Sequence, residues 1–119
     1  MNHIEVGEIG EQAATDYLRK SGYLILARKY RSKTGEIDII AKIKDVIVFV
    51  EVKTRRSKIC GFPAEAVTYH KQHKIINTAL CYLKQTGNNN AACRFDVLEI
   101  LLSSRGKLEY NHIINAFGN

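Results

Sequence analysis

The sequence predicts an α/β domain with a mixed β-sheet held between helices, in the element order αβββαββ. Three observations predict it. Residues 5–21 and 69–86 repeat apolar side chains at helical spacing. Residues 46–53 are almost continuously apolar, as a strand covered on both faces must be. Residues 36–43 and 46–53 are joined by Lys44-Asp45 alone. A link that short forces the two strands to be antiparallel neighbours. A hairpin flanked by helices folds as a layered sandwich.

The elements follow in order. In the first helix Ile9, Ala13 and Tyr17 recur every fourth residue, Ala14 and Leu18 widen that stripe, and Gly22 supplies the stop. Glu11 stands three and seven residues before Ala14 and Leu18, at the edge of the stripe, whereas Glu8 and Gln12 point away. Residues 23–30 form a first strand rich in β-formers, and residues 32–35 a turn. Residues 36–43 and 46–53 are the second and third strands, the third central in the sheet. The second helix carries Ile76, Ala79, Leu80 and Leu83 on one face, with Thr68 as N-cap and Gly87 at its end. Its first turns are polar: His70, Lys71, Gln72, His73 and Lys74. Residues 95–101 and 108–114 are two further strands, joined by the turn Ser103-Ser104-Arg105-Gly106. The aliphatic run 97–102 belongs either to the core or to an interface between copies.

Composition bounds the function. The chain has 119 residues, which makes residues 1–119 one domain, since single domains run to ~100–150 residues. Apolar residues at 45% and charged residues at 25% are globular values and exclude disorder. No stretch approaches the ~20 apolar residues of a membrane span. The start carries Glu5 and Glu8 and no basic flank, so it does not read as a signal peptide, and a cytoplasmic location is expected. The three cysteines Cys60, Cys81 and Cys93 are widely spaced, without a CxxC pair, and offer neither a disulfide framework nor a zinc site. The three later histidines, His70, His73 and His112, read as surface or core polar groups.

The net charge is +6. Its distribution says more than its size. Arg28, Lys29, Arg31 and Lys33 form one cluster, with Tyr30 interleaved, and Lys53, Arg55, Arg56 and Lys58 form another; neither contains an acid. Such clusters suit a phosphate backbone.

The hairpin predicts a site. A two-residue loop pairs Ile43 with Val46 and, counting outward, Asp38 with Glu51 and Glu36 with Lys53. Cross-strand partners share a face with Cβ atoms ~4.5–5.5 Å apart. Three carboxylates and one ammonium then converge. Lys53 answers Glu36. Asp38 and Glu51 repel one another and require a cation, for which an oxygen-ligated Mg²⁺ or Mn²⁺ fits. A metal held there polarises a phosphoryl oxygen and lowers the pKa of a bound water. A lysine beside it orients or deprotonates that water, or stabilises the charge on phosphorus.

Gly35-Glu36-Ile37-Asp38 followed by Val48-Phe49-Val50-Glu51-Val52-Lys53 resembles the core motif of the PD-(D/E)XK nuclease superfamily, whose fold is restriction-endonuclease-like. The chain also resembles the small bacterial YraN-like family, which is similar to archaeal Holliday junction resolvases. That resemblance takes in Gly10-Glu11 with Ala14, Tyr17 and Leu18, then Ala66-Val67-Thr68 and Lys71, and finally Arg94-Phe95-Asp96-Val97. It implies Asp38 and Glu51 as metal ligands, with the Val52 carbonyl as a third, and Lys53 as the catalytic lysine. It implies that Glu11 completes the site from the first helix, and that Lys71 and Gln72 lie near the scissile phosphate. Ile37 stands where the superfamily has proline. The implied activity is a metal-dependent endonuclease on branched or structured DNA, and the implied assembly is a homodimer, because a junction is cut symmetrically on two strands. Two rival readings are a non-catalytic nucleic-acid-binding module on the same fold and a basic protein that binds an acidic protein partner.

Overall fold

A computed structural model describes residues 2–56 and 67–118. Lys58, Cys60, Pro63 and Ala66 lie outside the described residues. The elements are α1 (His3–Lys20), β1 (Leu24–Ser32), β2 (Gly35–Ile43), β3 (Val46–Arg56), α2 (Tyr69–Gln85), β4 (Ala92–Leu102) and β5 (Leu108–Phe117). This is the order αβββαββ that the sequence predicts.

Local signals place the helix ends. The Asn2 side chain accepts from the Glu5 amide at 2.8 Å and caps α1, and Thr68 accepts from the Lys71 amide at 3.2 Å and caps α2. The five strands form one sheet in the order β1-β2-β3-β4-β5, with β3 central as expected. Neighbours are antiparallel except β3 and β4, which run parallel. A parallel pair needs a crossover, and α2 supplies it. Ala13, Ala14 and Leu18 of α1 cover one face, against Ile39, Ala41, Val48, Val50, Leu98 and Ile100. Ile75, Ala79 and Leu83 of α2 cover the other, against Ile37, Ile40, Ile47, Phe49, Phe95 and Val97. The run Val97 to Leu102 is buried in β4, which places it in the core.

The stripe expected on α2 is rotated. Ile75 and Thr78 are buried, whereas Leu80 is 58% exposed. Thr78 reads as polar in sequence, yet its hydroxyl donates to the Lys74 carbonyl at 2.8 Å and meets the Thr34 hydroxyl at 2.8 Å. Its burial therefore leaves no hydrogen bond unmade.

The hairpin has the predicted register, from Ile43↔Val46 to Ile39↔Val50. Lys44 takes φ 52° to close the two-residue loop. Beyond Ile39 the pattern changes. Strict alternation puts residues three apart on opposite faces. Ile37 and Ile40 nevertheless both pack on the α2 face, and so do their β1 partners Tyr30 and Ala27. Between them stand Asp38 and, on β1, Lys29 with φ 51°. Both strands switch face at this point, and Asp38 has a rung in neither ladder.

A second irregularity lies between β4 and β5, whose register shifts between Phe95 and Val97. Asp96 there is fully buried and accepts from Arg94 Nε at 3.0 Å, His112 Nε2 at 2.8 Å and the Asn115 amide at 2.9 Å. Burial alone would raise its pKa; those three donors outweigh it and hold the carboxyl below its usual range. Among the described residues no helix is long and apolar enough to cross a membrane.

Candidate functional site

The ladder of β2 and β3 stops at Ile39↔Val50, and the next amide on β3 to find a partner across the gap is that of Val52, which donates to Asp38 Oδ2 at 2.8 Å. Asp38 is thereby turned into the space between the strands. Glu51 lies beside it, only 5% exposed. The two carboxyl groups are within hydrogen-bonding reach of each other. Burial first, then the charge and hydrogen bond of Glu51, push the pKa of Asp38 up to about 8, against the opposing pull of the Val52 amide. The predicted meeting of Asp38 and Glu51 is thus present, although a side chain rather than a ladder rung secures it.

The ammonium on Glu51 comes from another element than expected. Lys71 Nζ contacts Glu51 Oε2 from the first turn of α2. Burial would lower the pKa of Lys71, but the hydrogen bond and charge of Glu51, together with the charge of Asp38, outweigh it and hold it above the ordinary lysine value. Lys71 therefore stays charged beside Glu51. Lys53 makes no hydrogen bond or ion pair among the described residues and lines a neighbouring cleft with His3, Val6, Thr54, Arg55 and Arg56. The expected Lys53–Glu36 pair is absent: Glu36 is exposed and bonds Arg31 Nε at 3.3 Å, because β1 crosses beside it in register. Sequence carried a signal for Lys71. Thr68 as N-cap puts Lys71 at the third helical position, in a helix without a single Asp or Glu.

Two clefts meet at the shared wall of Asp38 and Val52. One lies against α1 and includes Glu11, Lys29 and Thr54; the other lies under α2 and includes Glu51, Lys71 and Lys74. Glu11 is buried, as its place at the stripe's edge allowed. Its Oε2 lies 3.5 Å from Lys29 Nζ and 3.8 Å from Arg28 Nη2. Its Oε1 is buried with no hydrogen-bond partner. Gly10 explains the closeness: a Cβ there would stand 1.7 Å from Thr54 Oγ1, so α1 rides directly on β3 and carries Glu11 with it.

The remaining expected residues are dispersed around this point. Arg28, Lys29, Arg31, Lys33, Arg55 and Arg56 are mostly exposed at the sheet's outer side and the strand ends. Gln72 turns back to its own helix start and donates to the Val67 carbonyl at 2.8 Å. Among the described residues, no three His, Cys, Asp or Glu side chains form a ready metal cage. The donor set for a cation is instead two carboxyls in contact, Glu51 buried and Asp38 half-buried, with Val52 lining both clefts beside them. As it stands the pair is balanced by two single positive charges, a proton on Asp38 and the ammonium of Lys71. A divalent ion with oxygen ligands supplies both charges at once, so the residues present fit Mg²⁺ or Mn²⁺.

The fold and site together define a three-layered α/β domain, a mixed sheet with a helix on each face and a carboxyl pair at the open end of its central hairpin. Residues 10–100 match the model of the uncharacterised protein family UPF0102, and the chain belongs to that family. It is 47% identical over 117 residues to a UPF0102 protein of Clostridioides difficile, covering 98% of this chain and 100% of the relative. A UPF0102 protein of Symbiobacterium thermophilum is 50% identical over 112 residues, covering 94% and 95% of the two chains. One from Clostridium botulinum is 52% identical over 101 residues, covering 84% and 82%.

Proposed function

We propose that this protein is a metal-dependent nucleic-acid phosphodiesterase, an endonuclease of the PD-(D/E)XK, restriction-endonuclease-like class. Its proposed substrate is branched or otherwise structured DNA, and its proposed setting is the cytoplasm. The observation that carries the reading is the contact of two carboxyls, the half-buried Asp38 and the buried Glu51, at the junction of two clefts in a chain with net charge +6. Acids forced together away from bulk water cost stability, and a hard cation between them turns that cost into binding.

In this reading Asp38, Glu51 and the Val52 carbonyl hold Mg²⁺ or Mn²⁺. The bound ion would supply a polarised phosphoryl oxygen and a water of lowered pKa. The Val52 amide orients Asp38. Lys71, kept charged by its neighbours, holds a phosphate oxygen. Lys53, one cleft away, is left to orient or deprotonate the attacking water. The exposed cations of β1 and of the β3 end grip the flanking backbone. A homodimer would place two such sites on the two strands of a junction.

The test is cleavage of junction, flap, single-stranded and duplex DNA with Mg²⁺ or Mn²⁺. Turnover is expected for the wild type on at least one structured substrate, with a loss of about a thousandfold or more in Asp38→Asn and Glu51→Gln. Cleavage that survives both substitutions overturns the proposal.

One observation favours a second reading, a non-catalytic nucleic-acid-binding protein. Lys71 already neutralises Glu51 without a metal. That reading expects salt-sensitive binding that survives Asp38→Asn, and no turnover with either ion.

A further inference from the structure

We infer that Lys71 is an exchangeable counter-cation, which neutralises Glu51 until a divalent ion takes over that carboxylate and then swings to a phosphate of the nucleic acid. The inference rests on the metal-dependent reading above.

Four observations carry it. Glu51 is 5% exposed, and a carboxylate that buried needs a partner. The partner it has, Lys71, is itself half in solvent, with its side chain 52% exposed. Its stem therefore reaches in from the surface and leaves again without unpacking the core. Its place is unfavourable for the helix, because the N-terminal end of α2 is already positive. With no acid anywhere in α2, the helix itself offers no partner to Lys71; Glu51 holds it there. Finally, Lys53 does not compete for this task, since it lines a different cleft from Glu51.

The exchange has a direction. A divalent ion on Glu51 removes the attraction that holds the ammonium and adds a repulsion at short range. Lys71 is then pushed toward solvent, on a helix face that also presents His70 and Lys74, where a polyanion is the available partner. Metal and nucleic acid thereby assist each other's binding, by the same factor in both directions.

The experiment titrates Mn²⁺ into the full chain and follows the free-ion signal by electron paramagnetic resonance, without DNA. Lys71→Met is expected to bind Mn²⁺ on the order of tenfold more tightly than wild type, and Lys84→Met, at the exposed far end of α2, to bind it equally. Lys71→Gln, which keeps a hydrogen-bond donor for Glu51 but no charge, is expected to tighten binding too, and serves if Lys71→Met does not fold. A short fluorescent DNA duplex gives a second readout. In EDTA the wild type and Lys71→Gln bind it alike; in Ca²⁺ the wild type gains more. Equal or weaker Mn²⁺ binding in the Lys71 variants overturns the inference alone. No Mn²⁺ binding by any of the proteins overturns it together with the metal-dependent reading. Tighter Mn²⁺ binding in a protein that cleaves no DNA upholds the exchange and overturns the nuclease.

Discussion

The main-chain amide of Val52 donates to Asp38 Oδ2 at 2.8 Å, past the last rung of the β2–β3 ladder. A side-chain oxygen thus accepts where a strand carbonyl would in a continued ladder. The consequence is positional. Asp38 cannot rotate away from Glu51 without giving up the half-buried Val52 amide, which costs about 1 kcal/mol. The carboxyl pair is held together by the backbone of the strand that carries one of its members.

That confinement makes stability depend on pH. Asp38 keeps its proton up to about 8 in the folded protein, because of burial and the neighbouring Glu51, and releases it near the ordinary 3.8 when unfolded. Over that window the folded state binds the extra proton, so the associated stability is fully present at the acid end and is lost as pH rises through about 8. Thermal melts of the wild type should show a loss on the order of 2 kcal/mol between about pH 6 and pH 9. Asp38→Asn keeps an acceptor for the Val52 amide and carries no proton to lose. Its melting temperature should stay level over the same range and exceed the wild type at the alkaline end. A parallel fall in both proteins would remove Asp38 as the cause.

Much of this was legible in the sequence. The length of the Lys44-Asp45 link set the hairpin register, and period 2 then brought Asp38 to Glu51. The continuous apolar run of β3 placed it in the centre. Other features depend on packing between distant segments. Which lysine reaches Glu51 depends on how the α2 crossover lies over the sheet, and strand parity alone favoured Lys53. The face switch at Asp38 and Lys29 breaks the periodicity from which faces are inferred. Thr78 and Leu80 trade places because a hydroxyl bonded within its own helix is cheap to bury, and residue type hides that.

Asp96 should prove the most sensitive polar residue of the core. Its carboxylate satisfies Arg94, His112 and the Asn115 amide, and Arg94 also reaches the Tyr23 hydroxyl at 2.6 Å. Asp96→Ala strands a guanidinium and two further donors, with an expected cost of about 3–5 kcal/mol in urea unfolding. Because its folded pKa lies below the unfolded one, the contribution of Asp96 is present above pH ~4 and fades as pH falls through the folded value. The acid limb of the stability curve should therefore flatten in Asp96→Asn relative to the wild type.

Gly10 is a test of how Glu11 is placed. A Cβ there meets Thr54 Oγ1 at 1.7 Å and Thr54 Cβ at 2.6 Å, so a rotamer change alone does not clear it. Gly10→Ala must lift α1 from β3, at an expected cost of about 1–3 kcal/mol. Gly7 has open space around a Cβ, and Gly7→Ala should be neutral or slightly stabilising in the helix. Urea unfolding of the pair measures this, and equal stability of the two variants would contradict the close approach of α1 to β3.

Glu11→Gln separates charge balance from chemistry. Glu11 neutralises Lys29 at 3.5 Å and Arg28 at 3.8 Å, while its other oxygen is buried without a partner. Removing the charge frees two cations for phosphate. In EDTA, affinity for a DNA duplex should rise, and the slope of log K against log salt should steepen by about one to two, at ~0.9 per added phosphate contact. On the proposed metal-dependent reading, hydrolysis should move the other way. Asp38 feels the negative charge of Glu11, so a residue that helps concentrate positive charge at Asp38 is lost with it. Tighter binding with slower cleavage assigns Glu11 to the reacting centre. Tighter binding with unchanged cleavage confines it to holding Arg28 and Lys29.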